Sequence, residues 1–203
     1  MKQRGSSMKR VISLQGGMAA GKTTLAKRLE RAICDAWVIY EDPSALVQKR
    51  KELALDLQKE KDFIVNQRMF IEHEVERFRR LPDAKIIYDR GPEDIECYTL
   101  HYPLSIGKEW DIEGHLKAEL KELRSCRSDA ILYLDAQTNT LLARKEGDAT
   151  RSRGSFAQAM RMLPYEKEWF SNLPATTVFP VDALDVETVE ARVLPFIADL
   201  WKD

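Results

Sequence analysis

Gly16-Gly17-Met18-Ala19-Ala20-Gly21-Lys22-Thr23 decides the fold of this chain. The spacing is G-x-x-x-x-G-K-[ST] without deviation, and it stands where that pattern has mechanical meaning. The apolar, β-rich run Val11 to Leu14 precedes it, and the helix-forming stretch TTLAKRLERAI, beginning at Thr23, follows it. Glycines let such a loop curl until its backbone N–H groups converge on phosphate oxygens, and the start of the helix adds partial positive charge. In that arrangement Lys22 reaches the β- and γ-phosphates, the Thr23 hydroxyl serves Mg²⁺, and Thr24 completes a nucleotide cradle running from Gly16. ATP and Mg²⁺ are therefore the expected cofactors.

Working outward, short apolar runs recur at Val11 to Leu14, Ala36 to Tyr40, Lys85 to Tyr88, Ala130 to Leu134 and Thr176 to Val181. Several lack polar alternation, as strands covered on both faces do, so the sheet is expected to be parallel. Between them lie helical patterns at about Lys22 to Asp35, Ser44 to Lys59, Asp62 to Leu81, Pro92 to Tyr102, Ile112 to Cys126, Asn139 to Lys145, Phe156 to Phe170 and Val186 to Leu200. Strand and helix alternate throughout, which makes this an α/β architecture with helices on both faces of one sheet. Residues 1–9 read as a flexible tail and 10–203 as a single domain. The charged stretch around 144–155, rich in Gly, Ser, Asp and Arg, reads as a mobile lid.

Composition narrows the function classes. With 32 Lys plus Arg against 33 Asp plus Glu the net charge is -1, so no long-range field steers nucleic acid or an anionic membrane to the surface. Any anion site is built locally. The three cysteines are scattered, without Cys-x-x-Cys spacing, and read as reduced thiols of a cytoplasmic protein. The apolar run from Val11 is cut by Lys22 before it reaches membrane-spanning length. The histidines at 73, 101 and 115 have no metal-ligand spacing, and the tryptophans at 37, 110, 169 and 201 read as core or interface anchors.

The second strand ends in Tyr40-Glu41-Asp42-Pro43 and the third in Asp89-Arg90-Gly91. Both put charged groups at the carboxyl edge of an open sheet, where ligands of α/β proteins sit. The lack of a guanine-reading Asn-Lys-x-Asp sequence argues against a signalling GTPase. On the helix from Asp62, Phe63, Gln67, Phe70 and Glu74 share one face, and two rings flanking an amide suit a nucleobase.

Taken in order, these pieces resemble the P-loop nucleoside and nucleotide kinases, most closely the deoxynucleoside kinases. The resemblance covers most of the chain and implies a five-stranded parallel sheet ordered 2-3-1-4-5. It implies that Asp42 or Glu41 takes the proton of an acceptor hydroxyl, that Asp89 assists the Mg²⁺ shell with Thr23, and that Arg90 handles phosphate or the acceptor's 5′ end. It further implies that Phe63 and Gln67 read the base, and that Arg144, Arg151 and Arg153 arrive with a closing lid to neutralise the migrating phosphoryl group. The partner is then a small-molecule acceptor, the leading one being the 5′-hydroxyl of a deoxynucleoside, with no nucleic acid or membrane involved. Relatives of this kind are often homodimers. The rivals are a nucleoside monophosphate kinase, a phosphotransferase for another hydroxylated molecule, and a regulatory module that binds nucleotide without transferring phosphate.

Overall fold

A computed structural model describes residues 11–146 and 153–202, the side chains of 153–155 excepted. Five parallel strands, β1 (Val11–Gln15), β2 (Ala36–Ile39), β3 (Lys85–Asp89), β4 (Ala130–Asp135) and β5 (Thr176–Pro180), form one sheet in the order β2-β3-β1-β4-β5. That is the 2-3-1-4-5 order expected from the resemblance. The helices are α1 (Lys22–Ala32), α2 (Ser44–Glu52), α3 (Glu60–Arg79), α4 (Pro92–Ser105), α5 (Ile112–His115), α6 (Lys117–Arg124), α7 (Thr138–Glu146), α8 (Arg153–Asn172) and α9 (Val186–Leu200).

Successive strand residues point to opposite faces, and on β4 each face finds its own cover. Leu132 and Leu134 pack into a core with Leu25 and Leu29 of α1 and Val193 and Ile197 of α9. Ile131 and Tyr133 meet Cys97 of α4 and Phe170 of α8 on the other side. Fully burying a Leu or Ile contributes about 2 to 3 kcal/mol. The continuous apolar strands are thus explained by helices on both faces.

Most element ends shift by one to three residues from the sequence reading, and three differences go further. The helix from Ser44 stops at Glu52 rather than Lys59, because Ala54 turns left-handed (φ 51) and Leu55 N–H bonds back to Arg50 C=O at 3.2 Å. The stretch 112–126 splits into α5 and α6 around Leu116. Part of the expected lid is helix, since Arg144 lies in the last turn of α7 and α8 opens at Arg153. Trp37 is 59% exposed on edge strand β2, whereas Trp201 is buried as expected.

Candidate active site

The central strand β1 places everything else. Its register pairs Leu14 with Asp89, so the end of β3 lies beside the entrance to the Gly16–Thr23 loop, and Arg90 N–H bonds to Leu14 C=O at 3.2 Å. Gly16 adopts φ +132, and a Cβ there would meet the Leu134 carbonyl oxygen at 2.5 Å. Only glycine fits a backbone that both turns this way and passes so close to β4. Gly21 then caps α1 in a left-handed conformation.

Lys22 is buried and curls over the loop, bonding the carbonyls of Gly16 and Gly17, the latter at 2.9 Å. Burial, followed by the nearby Arg90 charge, lowers its pKa to about 8. Thr23 Oγ1 donates to Asp89 Oδ2 at 2.6 Å, so a hydroxyl and a carboxylate from two elements meet where α1 begins. This all-oxygen donor set fits a hard divalent cation such as Mg²⁺. Arg144 bonds the carbonyls of Ala20 at 3.1 Å and Val181 at 2.7 Å, tying the loop to the turn after β5. A cavity of about 630 Å³ runs along the loop from Met18 to Leu25 and is closed by Glu41, Arg90, Leu134 and Arg144.

A second cavity of about 580 Å³ shares Met18 and Arg90 with the first and continues past Asp94, Tyr98, Tyr102 and Glu166. Between the two stands Arg90, whose guanidinium forks to Glu41 Oε2 at 3.2 Å and Asp94 Oδ1 at 2.7 Å. Burial raises the Glu41 pKa, against the pull of Arg90. Glu166 is likewise pushed up, first by burial, and faces Lys22 and Arg90 from α8.

The two acidic candidates before Pro43 part company here. Glu41 faces the cleft. Asp42 is exposed and accepts from both the backbone N–H of Ser44, at 3.1 Å, and its hydroxyl, which lowers its pKa and starts α2. The base-reading pair also lies elsewhere. Phe63 is fully buried, stacked on Tyr102 with centroids 5.0 Å apart and close to Trp110. Gln67 is 2% exposed and accepts from Thr99 Oγ1 at 2.9 Å. Neither lines either cavity. Their shared helical face is a core face, because α4 covers it.

Arg151 and the side chain of Arg153 lie outside the described residues. The sequence reading missed Asp94, although its place four residues after Arg90 on a helix start is a readable signal. It also missed Glu166 and Arg77, which reach the site only through tertiary packing.

Gly91 has its own reason. A Cβ there would stand 2.5 Å from Glu93 Oε2 and 3.0 Å from Ser13 Cβ. Glu93 is fully buried and held in place, accepting from Ser128 N–H at 2.6 Å and from Gln15 Nε2 at 3.4 Å.

The parallel 2-3-1-4-5 sheet and its phosphate loop define a P-loop protein of nucleoside-kinase-like fold. A family model described as AAA domain matches residues 11–186, and the chain belongs to that family. Among solved structures, deoxyadenosine kinase from M. mycoides with the products dCMP and a flexible dCDP bound is similar at a TM-score of 0.71 and 19% identity, covering 94% of this chain and 99% of that one. The same kinase with bound dCTP matches at 0.68 and 17% identity, over 93% and 99%. At these identities the likeness is one of fold. No curated protein sequence matches the chain.

Proposed function

We propose that this chain is an ATP- and Mg²⁺-dependent phosphotransferase that moves the γ-phosphoryl group to the 5′-hydroxyl of a deoxynucleoside. The observation that carries this reading is the Glu41–Arg90 pair, 3.2 Å apart, standing where the phosphate-loop cavity meets the second cavity. A hydroxyl arriving there from the second cavity meets a carboxylate able to take its proton and a cation able to steady the incoming charge. The fold shared with deoxyadenosine kinase and the product and nucleotide complexes of that enzyme support a nucleoside acceptor.

In this mechanism Lys22 swings from the loop carbonyls to the donor phosphates, and the loop amides hold the rest of the chain of phosphates. Thr23 and Asp89 would hold Mg²⁺, which when bound would offset charge on the phosphate oxygens. Glu41 accepts the hydroxyl proton as the acceptor oxygen forms its bond to the γ-phosphorus and the bridge to ADP breaks. Arg144 braces the loop from behind, and the charge-neutralising role of Arg151 and Arg153 is the one the family resemblance implies. Glu41, rather than Asp42, is the base, because Asp42 is committed to Ser44. The reading places the protein in the cytoplasm, where ATP, Mg²⁺ and reduced thiols coexist.

A monophosphate acceptor is the second reading. Arg50 and Arg161 line the same cavity as Arg90 and suit an acceptor already carrying negative charge. The test is acceptor-dependent ADP formation with ATP and Mg²⁺ across deoxynucleosides, their monophosphates and hydroxylated antibiotics. Turnover with deoxynucleosides is expected. Turnover with monophosphates alone would transfer the assignment to the second reading, and nucleotide binding without ADP formation for any acceptor would make the protein a regulatory module.

A further inference from the structure

Arg90 holds a backbone conformation that side chains disfavour. Its φ is 66, in the left-handed region where Cβ crowds the carbonyl oxygen, and no glycine stands there to relieve it. Such a residue stays put only when its surroundings over-determine it. One holder is already described: the guanidinium is gripped by Glu41 and Asp94. The other acts on the backbone. Arg77 Nη2, from α3, donates to the Arg90 carbonyl oxygen at 2.7 Å.

Arg77 is itself fixed from two further sides. Glu74, one turn earlier on α3, pairs with the same Nη2 at 3.3 Å, and the guanidinium lies over the Tyr88 ring, 4.4 Å from its centroid. Tyr88 precedes Arg90 by two residues on the strand that delivers it, so Arg77 grips the ring and the carbonyl of one short stretch together. A relaxed φ at Arg90 would re-orient the side-chain stem relative to the carbonyl that Arg77 holds.

We propose that Arg77 is a positioning residue: by bonding the Arg90 carbonyl while stacked on Tyr88, it holds Arg90 left-handed and aims the Arg90 guanidinium at Glu41 and the acceptor hydroxyl. The proposal rests on the acceptor-side role given to Glu41 and Arg90 above. The planar fork matters, because lysine supplies a donor and a charge but cannot spread over the ring while reaching the carbonyl.

Arg77→Met, which fills similar space without a donor, is the variant to measure. Arg77→Lys stands beside it in case the methionine variant fails to fold. With saturating ATP and Mg²⁺, Arg77→Met is expected to lose roughly tenfold or more in kcat, while the affinity for ADP and Mg²⁺ by calorimetry stays within about twofold. Arg77→Lys is expected to recover part of that loss. Because Arg77 acts through Arg90, adding Arg77→Met to Arg90→Met is expected to cost nothing further. Wild-type kcat in either variant, or a loss that adds in full to that of Arg90→Met, would overturn the proposal. A crystal structure of the Arg77 variant separates this proposal from the assigned function. Should the wild type phosphorylate no acceptor, the function fails, yet Arg90 released from its left-handed φ and parted from Glu41 still supports the positioning role. Arg90 unmoved overturns it.

Discussion

Glu41, two residues past β2, and Arg90, one residue past β3, meet at 3.2 Å across the gap between the two strands. Asp42 follows Glu41 in the chain but turns away from the cleft to Ser44. The two carboxylates therefore have separable effects. Glu41→Gln is expected to cut kcat by about 10² or more with little change in nucleotide affinity. Asp42→Asn is expected to keep kcat within about twofold, losing at most about 1 kcal/mol of stability through the start of α2. Steady-state kinetics beside denaturant unfolding distinguishes these outcomes, and the reverse pattern would return the base role to Asp42.

Lys22 carries a pKa lowered to about 8 while it is buried against carbonyl oxygens and near Arg90. Above pH 8 a large share of the free protein therefore has a neutral lysine here. Triphosphate raises that pKa again, so nucleotide binding at about pH 8.5 is expected to take up a fraction of a proton, and at pH 6.5 almost none. Calorimetric titrations in buffers of different ionisation enthalpy read this directly. Lys22→Met is expected to abolish the difference between the two pH values.

Glu74 lies buried on α3 with a pKa pushed up to about 7 by burial, against the pull of Arg77. Glu93 and Asp94 from α4 and Glu41 from beyond β2 add to the rise, and the Tyr88 hydroxyl of β3 shares the site. A carboxyl raised on folding is protonated in the folded state while the unfolded one is already ionised. Its contribution is thus complete below about pH 4.5 and is lost as pH climbs through 7. Glu74→Gln is expected to gain stability relative to wild type between about pH 5 and 8, by up to about 3 kcal/mol. Urea unfolding at a series of pH values measures it.

Gly91 is the place where a single methyl group is expected to be felt. Its added Cβ meets Glu93 Oε2, and Glu93 is pinned by Ser128 and Gln15. Gly91→Ala is expected to destabilise the fold by about 1 to 3 kcal/mol, seen as a fall in thermal midpoint of several degrees. An unchanged midpoint would mean that Glu93 yields freely.

The architecture was legible because it rests on local signals. Five apolar runs mark the strands, and the glycine spacing from Gly16 to Thr23 marks the strand, loop and helix around which the rest is arranged. The end of Glu52's helix was not, since a left-handed alanine at position 54 carries no compositional mark. Asp89, Arg90 and Glu41 gather as their places after strand ends suggested, and Lys22 as its place in the loop motif did. Phe63 and Gln67 do not, because helical periodicity tells which residues share a face but not what covers that face. Here Thr99 and Tyr102 of α4 cover it. Arg77 escaped for the same reason, its partner lying on a different element.

The most direct measurement follows the phosphorus itself. Phosphorus NMR of ATP, Mg²⁺, a deoxynucleoside and the wild-type protein is expected to show the γ resonance replaced by that of a phosphate monoester as ADP accumulates, with Glu41→Gln nearly silent. Inorganic phosphate as the sole product, or an ATP spectrum unchanged with every deoxynucleoside offered, would contradict phosphoryl transfer to a nucleoside hydroxyl at this site.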